Sequence, residues 1–354
     1  MSSIFKRHII HFLLLLFTWS KATGQQTHDY ITRIDSLLNT SNVRPFNGVV
    51  LIAQKGKQYY AKAYGYANSY TKRPLQMNDA FSSMSIAKQV TATLILQEVE
   101  KGHLDLHKPV KTYLPYLKYA WADTITVHNL LNHTSGLWSE SLELPLKFAP
   151  GRGFGYSNVG YTLAGQILEK VSQQTYQQLV KTLFQICDIK NSGYPTTDNQ
   201  QQLVKGHNVK ANHSITIKEK ISFNPDYFFS SHLVVTAEDL VKWNECLHNG
   251  QLLKGETYKQ MTSYTATSAH PLFGTEPIGY GYGLRINNSE WIKEIGHTGY
   301  HPEQGYTAVN LYYPESQTSV IVLENQAFEN FDIAYYFESL IRQIILKSSL
   351  VKKD

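Results

Sequence analysis

Hydrophobic residues along the chain follow two periods, and the first predicts β-strands near both ends. Residues 47–53 form an apolar, β-branched run typical of a buried strand, and a turn at 55–57 leads into a second strand over 58–64. From Gly279 onward short apolar runs again alternate with turn residues. We predict strands there over residues 280–286, 291–296, 306–313 and 319–324.

The second period is that of the α-helix. Apolar residues recur every three or four positions, and residues such as Gly102 and Thr236 mark helix ends. We predict helices over about residues 30–39, 86–101, 127–131, 159–171, 236–247 and 328–346. Strands at both ends with helices between them predict an α+β fold, in which helices flank one antiparallel sheet and a mostly helical subdomain is inserted.

This pattern predicts a single domain over residues 23–354. Its α/β lobe would comprise about residues 27–80 and 275–350, and its helical lobe about residues 81–274. A cleft between two such lobes is a usual place for a small-molecule or peptide substrate.

The first 22 residues differ from the rest in composition. Lys6 and Arg7 precede an apolar run from Ile9 to Phe17, and small residues at Ser20 and Ala22 suit a cleavage site. The run is short for a membrane span. We therefore predict a secretory signal over residues 1–22 and an exported protein, periplasmic or secreted. Membrane association is expected only if this segment is not cleaved.

Composition excludes several classes of partner. Removing residues 1–22 takes away Lys6, Arg7 and Lys21 and no acidic residue, so the net charge of +5 falls to +2. So small a net positive charge does not indicate the strongly basic surface that proteins use to bind nucleic acid. The 14 histidines are scattered without the spacing of metal ligands, so we expect neither a metal nor another cofactor. The two cysteines, Cys187 and Cys246, allow a disulfide or two buried thiols.

One tetrapeptide offers nucleophilic chemistry. Ser85 and Lys88 are one helical turn apart, so a neutral lysine amine could take the proton of the serine hydroxyl. The same spacing occurs at Ser3/Lys6, Ser69/Lys72 and Ser349/Lys352. Ser85 differs from these because it opens a long apolar helix. The chain therefore carries the pattern of a serine acyl-transfer enzyme.

Two further motifs carry suitable polar groups. In an extended segment Tyr156 and Asn158 would face the same cavity, where a phenol can move protons and an amide can hold a carbonyl and an amine. His297, Thr298 and Gly299 follow a predicted strand, and donors there could meet a substrate beside the strand edge. His133, after a predicted helix, is expected to satisfy backbone groups.

Six segments in this order resemble the class C β-lactamase family of serine hydrolases, which includes D-alanyl-D-alanine carboxypeptidases, D-aminopeptidases and esterases. The resemblance spans about residues 45 to 325. The segments lie at residues 81–92, 133–137, 155–161, 235–240, 279–284 and 296–299.

The resemblance implies a role for each site residue. Ser85 would be the nucleophile, Lys88 the base for acylation, and Tyr156 the base for deacylation or a partner in the proton shared with Lys88. Asn158, His297, Thr298 and Gly299 would bind or orient substrate. The backbone N–H groups of Ser85 and Tyr300 would form the oxyanion hole. With these roles, the chain also resembles the penicillin-binding proteins.

Two departures from the family pattern concern the substrate. Ser230–His232 stands where glycines are usual, and residues 300–304 precede Gly305. His297 also replaces the lysine of many β-lactamases, which favours a D-Ala-D-Ala carboxypeptidase-like peptidase or esterase whose substrate could derive from peptidoglycan. The alternatives are a β-lactamase and a penicillin- or peptidoglycan-binding protein without turnover.

Overall fold

The computed structural model describes residues 29–40, 43–139, 141–210, 215–218, 224, 227–288 and 291–351. The predicted secretory signal over residues 1–22 lies outside these residues. No helix in the described ranges is long and apolar enough to cross a membrane.

The elements include most of the helices and strands that the periodicity predicts, together with short helices and strands that it does not. The α-helices are α1 (Asp29–Asn39), α2 (Ala87–Glu100), α3 (Val110–Tyr113), α4 (Val127–Leu131), α5 (Asn158–Ser172), α6 (Tyr176–Ile186), α7 (Thr197–Gln201), α8 (Ala237–His248), α9 (Gly255–Met261) and α10 (Tyr336–Leu346). The strands are β1 (Gly48–Gln54), β2 (Lys57–Tyr64), β3 (Tyr66–Asn68), β4 (Arg73–Pro74), β5 (Phe81–Ser82), β6 (Gly206–Val209), β7 (Ile215–Lys218), β8 (Val234–Val235), β9 (Thr267–His270), β10 (Gly274–Tyr280), β11 (Arg285–Asn287), β12 (Glu294–His301), β13 (Tyr306–Tyr313), β14 (Thr318–Glu324) and β15 (Gln326–Phe328).

An eight-stranded antiparallel sheet draws on both ends of the chain, in the order β2-β1-β14-β13-β12-β11-β10-β9. The α+β fold predicted from the sequence is thereby confirmed. The sheet already includes β9 at Thr267, before the expected lobe boundary at residue 275. The division into two lobes stays a prediction.

Both faces of this sheet are covered, which explains the uninterrupted apolar run of β1. Val49 and Leu51 pack into a core with α2, α5 and α8, whereas Val50 and Ile52 pack on the opposite face with α1 and α10. Successive strand residues point to opposite faces, so burial of both faces removes the polar alternation of a one-sided sheet.

The predicted strand over residues 280–286 is wrong. The chain reverses there: β10 ends at Tyr280 and β11 begins at Arg285. Gly283 has a φ of +66°, and a Cβ at this position would lie 2.5 Å from the carbonyl oxygen of Lys88. Because Tyr282 and Leu284 are buried within the turn, the apolar pattern hides the reversal.

The predicted helix over residues 328–346 is wrong over its first part. Phe328 ends β15, which pairs in parallel with β6 through Gln326 and His207. A short 3₁₀ turn at Phe331–Ile333 follows, and the Asn330 side chain accepts a hydrogen bond from the Asp332 N–H within it. Within residues 328–346 the α-helix is therefore confined to α10, because the strand pairing of β15 takes up the backbone groups that an earlier helix start would need.

Cys187 and Cys246 form a disulfide that links the end of α6 to α8. The two cysteines are 59 residues apart. Closing a loop of this length lowers the entropy of the unfolded chain, which stabilises the folded protein by about 4 kcal/mol. We expect the double variant Cys187→Ser/Cys246→Ser to unfold at a markedly lower temperature than the wild type. Thermal melts with and without reductant measure this. A reductant should destabilise only the wild type, and equal wild-type melts in both conditions would contradict the pairing.

Candidate active site

Ser85 lies in a tight turn that joins β5 to α2. Met84, directly before it, has a φ of +46°, a left-handed conformation that a non-glycine residue adopts only when its surroundings impose it. The Ser83 N–H donates to the carbonyl of Leu233 at 2.8 Å, and β5 pairs with β8. This pairing fixes the turn, and it leaves Ser85 partly exposed among buried neighbours.

Lys88, one helical turn later, is fully buried and contacts three oxygen atoms. Its Nζ is 3.2 Å from Ser85 Oγ, 2.8 Å from Asn158 Oδ1 and 2.8 Å from the carbonyl oxygen of Ser230. The structure therefore brings Ser85, Lys88 and Asn158 together. Ser230, in the segment that departs from the family pattern, contributes its backbone to the same site.

The surroundings of Lys88 favour a neutral amine. Burial lowers the pKa of Lys88 well below its usual value, and the charge of Arg285 lowers it further. A neutral amine has two N–H groups and one lone pair. Asn158 Oδ1 and the Ser230 carbonyl accept hydrogen bonds and cannot donate them, so they occupy both N–H groups. The lone pair is then left for the Ser85 hydroxyl.

Tyr156 lies against both members of this pair. The Lys88 Nζ is 4.8 Å from the centroid of the Tyr156 ring, and Ser85 lies near enough to the phenol to act on its pKa. Burial raises the pKa of Tyr156 to about 12, although Arg285 and Ser85 act in the opposite direction. The residue is a phenol at neutral pH, which favours a proton relay shared with Lys88 over a standing phenolate.

His133 supports the Tyr156 ring from the other side. The two ring centroids are 4.2 Å apart, and His133 Nδ1 accepts a hydrogen bond from the Ser157 N–H at 3.2 Å. The imidazole thus satisfies a backbone group, as the sequence interpretation expects. It fixes the segment that carries Tyr156 and Asn158.

The outer edge of β12 is open where the site lies. β11 pairs with β12 only through residues 294–296, so within the described ranges no strand pairs with residues 297–301 on that side. Gly299 packs against the nucleophile turn, and a Cβ there would lie 2.5 Å from Met84 Cβ and 3.2 Å from the Ser85 nitrogen. The lack of a side chain at Gly299 therefore lets the strand edge approach Ser85.

Tyr300 directs its side chain away from this edge. Its hydroxyl donates to the carbonyl of Phe328, and its ring lies 5.1 Å from that of Phe331. The side chain is thus anchored to the C-terminal segment. Its backbone N–H stays a proposed member of the oxyanion hole.

His297 has both ring nitrogens engaged within the protein. Nδ1 donates to the carbonyl of Thr298 at 2.6 Å, and Nε2 accepts from the Tyr280 hydroxyl at 2.7 Å. Burial, and next the charge of Arg285, hold the pKa of His297 well below its usual value. In this arrangement the imidazole is neutral and offers a substrate no donor. Its contribution is to hold β12 against β10.

Thr298 leads to a residue that the sequence reading missed. Its Oγ1 accepts a hydrogen bond from Arg285 Nε at 3.2 Å. Arg285 is buried, and its guanidinium lies 5.8 Å from the Tyr156 ring centroid. Among the described residues no carboxylate pairs with Arg285 and no acceptor meets its terminal nitrogens. A buried cation without a counter-ion favours an anionic ligand.

A signal for Arg285 does exist in the sequence. It is a charged residue within an otherwise apolar segment, residues 280–286, that reads as a buried strand. Buried arginine is rare unless it is paired or functional. Its partner Thr298 is distant in sequence, so the pattern alone does not show what the charge faces.

Comparison with known proteins gives the same family as the motifs. The Beta-lactamase family matches residues 40–341. "Penicillin-binding protein 4*" of Bacillus subtilis (strain 168) is 26% identical over 322 residues, which cover 79% of this chain and 68% of that protein.

Two solved structures show the same fold. The D-amino acid amidase from Ochrobactrum anthropi SV3, complexed with D-phenylalanine, has a TM-score of 0.76 at 22% identity, over 90% of this chain and 97% of that one. A class C beta-lactamase has a TM-score of 0.72 at 19% identity, over 93% and 97% of the two chains. The match over residues 40–341, together with this fold, shows that the chain belongs to the Beta-lactamase family, whose members are serine hydrolases.

Proposed function

We propose that the protein is a D-Ala-D-Ala carboxypeptidase-like hydrolase that forms an acyl-enzyme on Ser85 and takes substrates with a terminal carboxylate. The observation that supports this is the Arg285 guanidinium near the Ser85–Lys88 pair. It donates a hydrogen bond to Thr298 and has no carboxylate partner among the described residues. The proposed setting is an exported protein acting on peptidoglycan-derived peptides. A disulfide suits an oxidising compartment of this kind.

The proposed acylation moves one proton from the nucleophile to the leaving amine. Ser85 Oγ attacks the substrate carbonyl carbon while its proton passes to Lys88 Nζ. The C–N bond then breaks, and the leaving nitrogen takes a proton from the Tyr156 hydroxyl. Tyr156 regains that proton from Lys88, to which its ring is adjacent. Both residues return to their starting protonation states.

Deacylation would use the same relay in reverse. Water attacks the ester carbonyl, and its proton passes to neutral Lys88, either directly or through Tyr156, which takes the water proton as it gives its own to Lys88. The Lys88 ammonium then returns a proton to the departing Ser85 oxygen. The backbone N–H groups of Ser85 and Tyr300 would hold the developing oxyanion in both steps. Gly299 supports this role because it lets the two N–H groups come close.

The terminal carboxylate would lie at the open edge of β12. Arg285 can offer its terminal N–H groups, and Thr298 can offer its hydroxyl. A D-amino acid amide lacks this carboxylate and would leave the Arg285 charge unpaired. The arginine thus favours a carboxypeptidase over an amidase. A β-lactam also carries a carboxylate, so β-lactam hydrolysis and acylation without turnover remain alternatives that deacylation rates would separate.

Arg285→Met is expected to remove the preference for the carboxylate. For an acyl-D-Ala-D-Ala peptide we expect kcat/KM to fall about a hundredfold, since a charged contact buried in the site is lost. For the same peptide ending in an amide the fall should be much smaller. Because Arg285 also lowers the pKa of Lys88, rates are compared on the pH plateau of each variant.

Arg73→Met is a matched control, since Arg73 is exposed and already paired with Asp79. It should leave both substrates unaffected. If the wild type hydrolysed acid and amide peptides equally well, the proposed carboxypeptidase specificity would be wrong. Equal losses on both substrates in Arg285→Met would remove Arg285 from carboxylate recognition.

A further inference from the structure

We propose that His270 is a positioning residue, which fixes the Thr298 hydroxyl as a hydrogen-bond donor toward the substrate carboxylate. This inference rests on the proposed function and extends it to a residue that touches neither Ser85 nor Lys88. His270 ends β9, at the edge of the large sheet, and only 5% of its surface is exposed. It is more than 180 residues from the nucleophile in the sequence.

The backbone sets the tautomer of His270. The Leu272 N–H donates to His270 Nδ1 at 3.2 Å, so Nδ1 carries no proton. A neutral imidazole then has its proton on Nε2. That nitrogen is 3.1 Å from Thr298 Oγ1, and its N–H therefore donates to the threonine oxygen.

Neutrality of the ring follows from its surroundings. Burial holds the pKa of His270 well below its usual value, and the charge of Arg285 acts in the same direction. The rings of Phe273, Phe331 and Tyr335 surround the imidazole at centroid distances of 6.1, 6.1 and 4.9 Å. A protonated ring would also lose the hydrogen bond from Leu272.

Two donors therefore meet the Thr298 hydroxyl. Its oxygen has two lone pairs, and these are taken by the Arg285 Nε–H and the His270 Nε2–H. The hydroxyl hydrogen can only point away from both. Tyr335, whose own hydroxyl donates to the Gly299 carbonyl at 3.2 Å, is a neighbouring acceptor for it.

A carboxylate would be the better acceptor of this hydrogen. Hydrogen bonds to an ionised oxygen are about twice as strong as those between neutral groups. Without His270 the hydroxyl could rotate and donate elsewhere, leaving a lone pair facing the carboxylate. His270 thus makes Thr298 a donor before the substrate arrives, so no rotamer search is needed on binding.

Two substitutions separate this role from packing. His270→Phe keeps an aromatic ring in the cluster and removes the donor, whereas His270→Gln can return an N–H near the position of Nε2. For the acyl-D-Ala-D-Ala peptide we expect kcat/KM of His270→Phe to fall by about ten- to a hundredfold, mainly through KM. The amide-terminated peptide should lose at least tenfold less, and His270→Gln should recover most of the loss.

The ¹⁵N shifts of His270 in the wild type give a readout that needs no substrate, because they report which ring nitrogen carries the proton. His103→Phe is the control, since His103 is exposed and paired with Glu98. The inference would be overturned if the proton of His270 were on Nδ1, or if a folded His270→Phe protein lost equal activity on both peptides. In either case a wild-type preference for the acid peptide would still support the proposed function. A wild type without that preference would refute both.

Discussion

Replacing Ser85 with alanine is expected to abolish hydrolysis and covalent labelling. Ser85 carries the only hydroxyl among the described residues that hydrogen-bonds with Lys88 Nζ, so the variant loses the nucleophile and keeps the binding site. Loss of a nucleophile of this kind costs several powers of ten in rate, with each power worth about 1.4 kcal/mol. Turnover of an acyl-D-Ala-D-Ala peptide and intact mass after treatment with a serine-directed phosphonate measure the two effects.

The chain supplies its own control for this variant. Ser69 and Lys72 have the same spacing as Ser85 and Lys88, but they lie outside any α-helix, between β3 and β4. Ser69→Ala should keep wild-type turnover and labelling. Phosphonate labelling that persisted in Ser85→Ala, with the protein folded, would exclude Ser85 as the nucleophile. A burst of product without steady turnover in the wild type would favour the non-turnover alternative.

The parts of the site that a sequence reveals are local in the chain. Ser85 and Lys88 meet because one helical turn separates them, and Tyr156 and Asn158 can both face Lys88 because the Ser157 between them is extended. Local backbone geometry sets both arrangements, and contacts with the rest of the fold hold the two segments in place. The sheet is similar, since strands buried on both faces leave continuous apolar runs that mark each strand.

The parts that the sequence hides are those formed by distant segments. The Ser230 carbonyl reaches Lys88 because β8 pairs with β5, and no side-chain pattern encodes a backbone acceptor. From the sequence, His297 is interpreted as a residue that donates a hydrogen bond to the substrate beside Thr298. Its hydrogen bond to Tyr280 depends on how β10 and β12 come together around the short strand β11. Arg285 and His270 meet at Thr298 for the same reason.

The turn at residues 281–284 shows how a fold error and a site error are linked. A single strand over residues 280–286 would place Arg285 within an apolar run with no particular partner. The observed reversal instead pairs Arg285 with Gly296 of β12, beside Thr298. Gly283 allows that reversal next to the Lys88 backbone. Once the turn is known, the charge at Arg285 becomes a feature of the cleft.

Replacing Lys88 with arginine is expected to leave the protein nearly inactive, although the two side chains are similar in length. The proposed mechanism needs a base that is neutral at working pH, and a guanidinium does not give up its proton in proteins. The wild-type lysine meets this need because burial and Arg285 lower its pKa. Pre-steady-state acylation by a chromogenic ester measures the loss. The control variant Lys72→Arg, at the exposed lysine of the Ser69/Lys72 pair, should react normally.

The same pKa shift predicts the pH profile of the wild type. The base acts when it is deprotonated, so acylation should rise with pH through the lowered pKa of Lys88 and then level off. An ordinary lysine would place this rise near pH 10.4. Arg285→Met, which removes one cause of the shift, should move the rise to higher pH. A folded Lys88→Arg variant that acylated at the wild-type rate would exclude Lys88 as the base. A pH profile unchanged in Arg285→Met would show that the charge of Arg285 does not lower the pKa of Lys88.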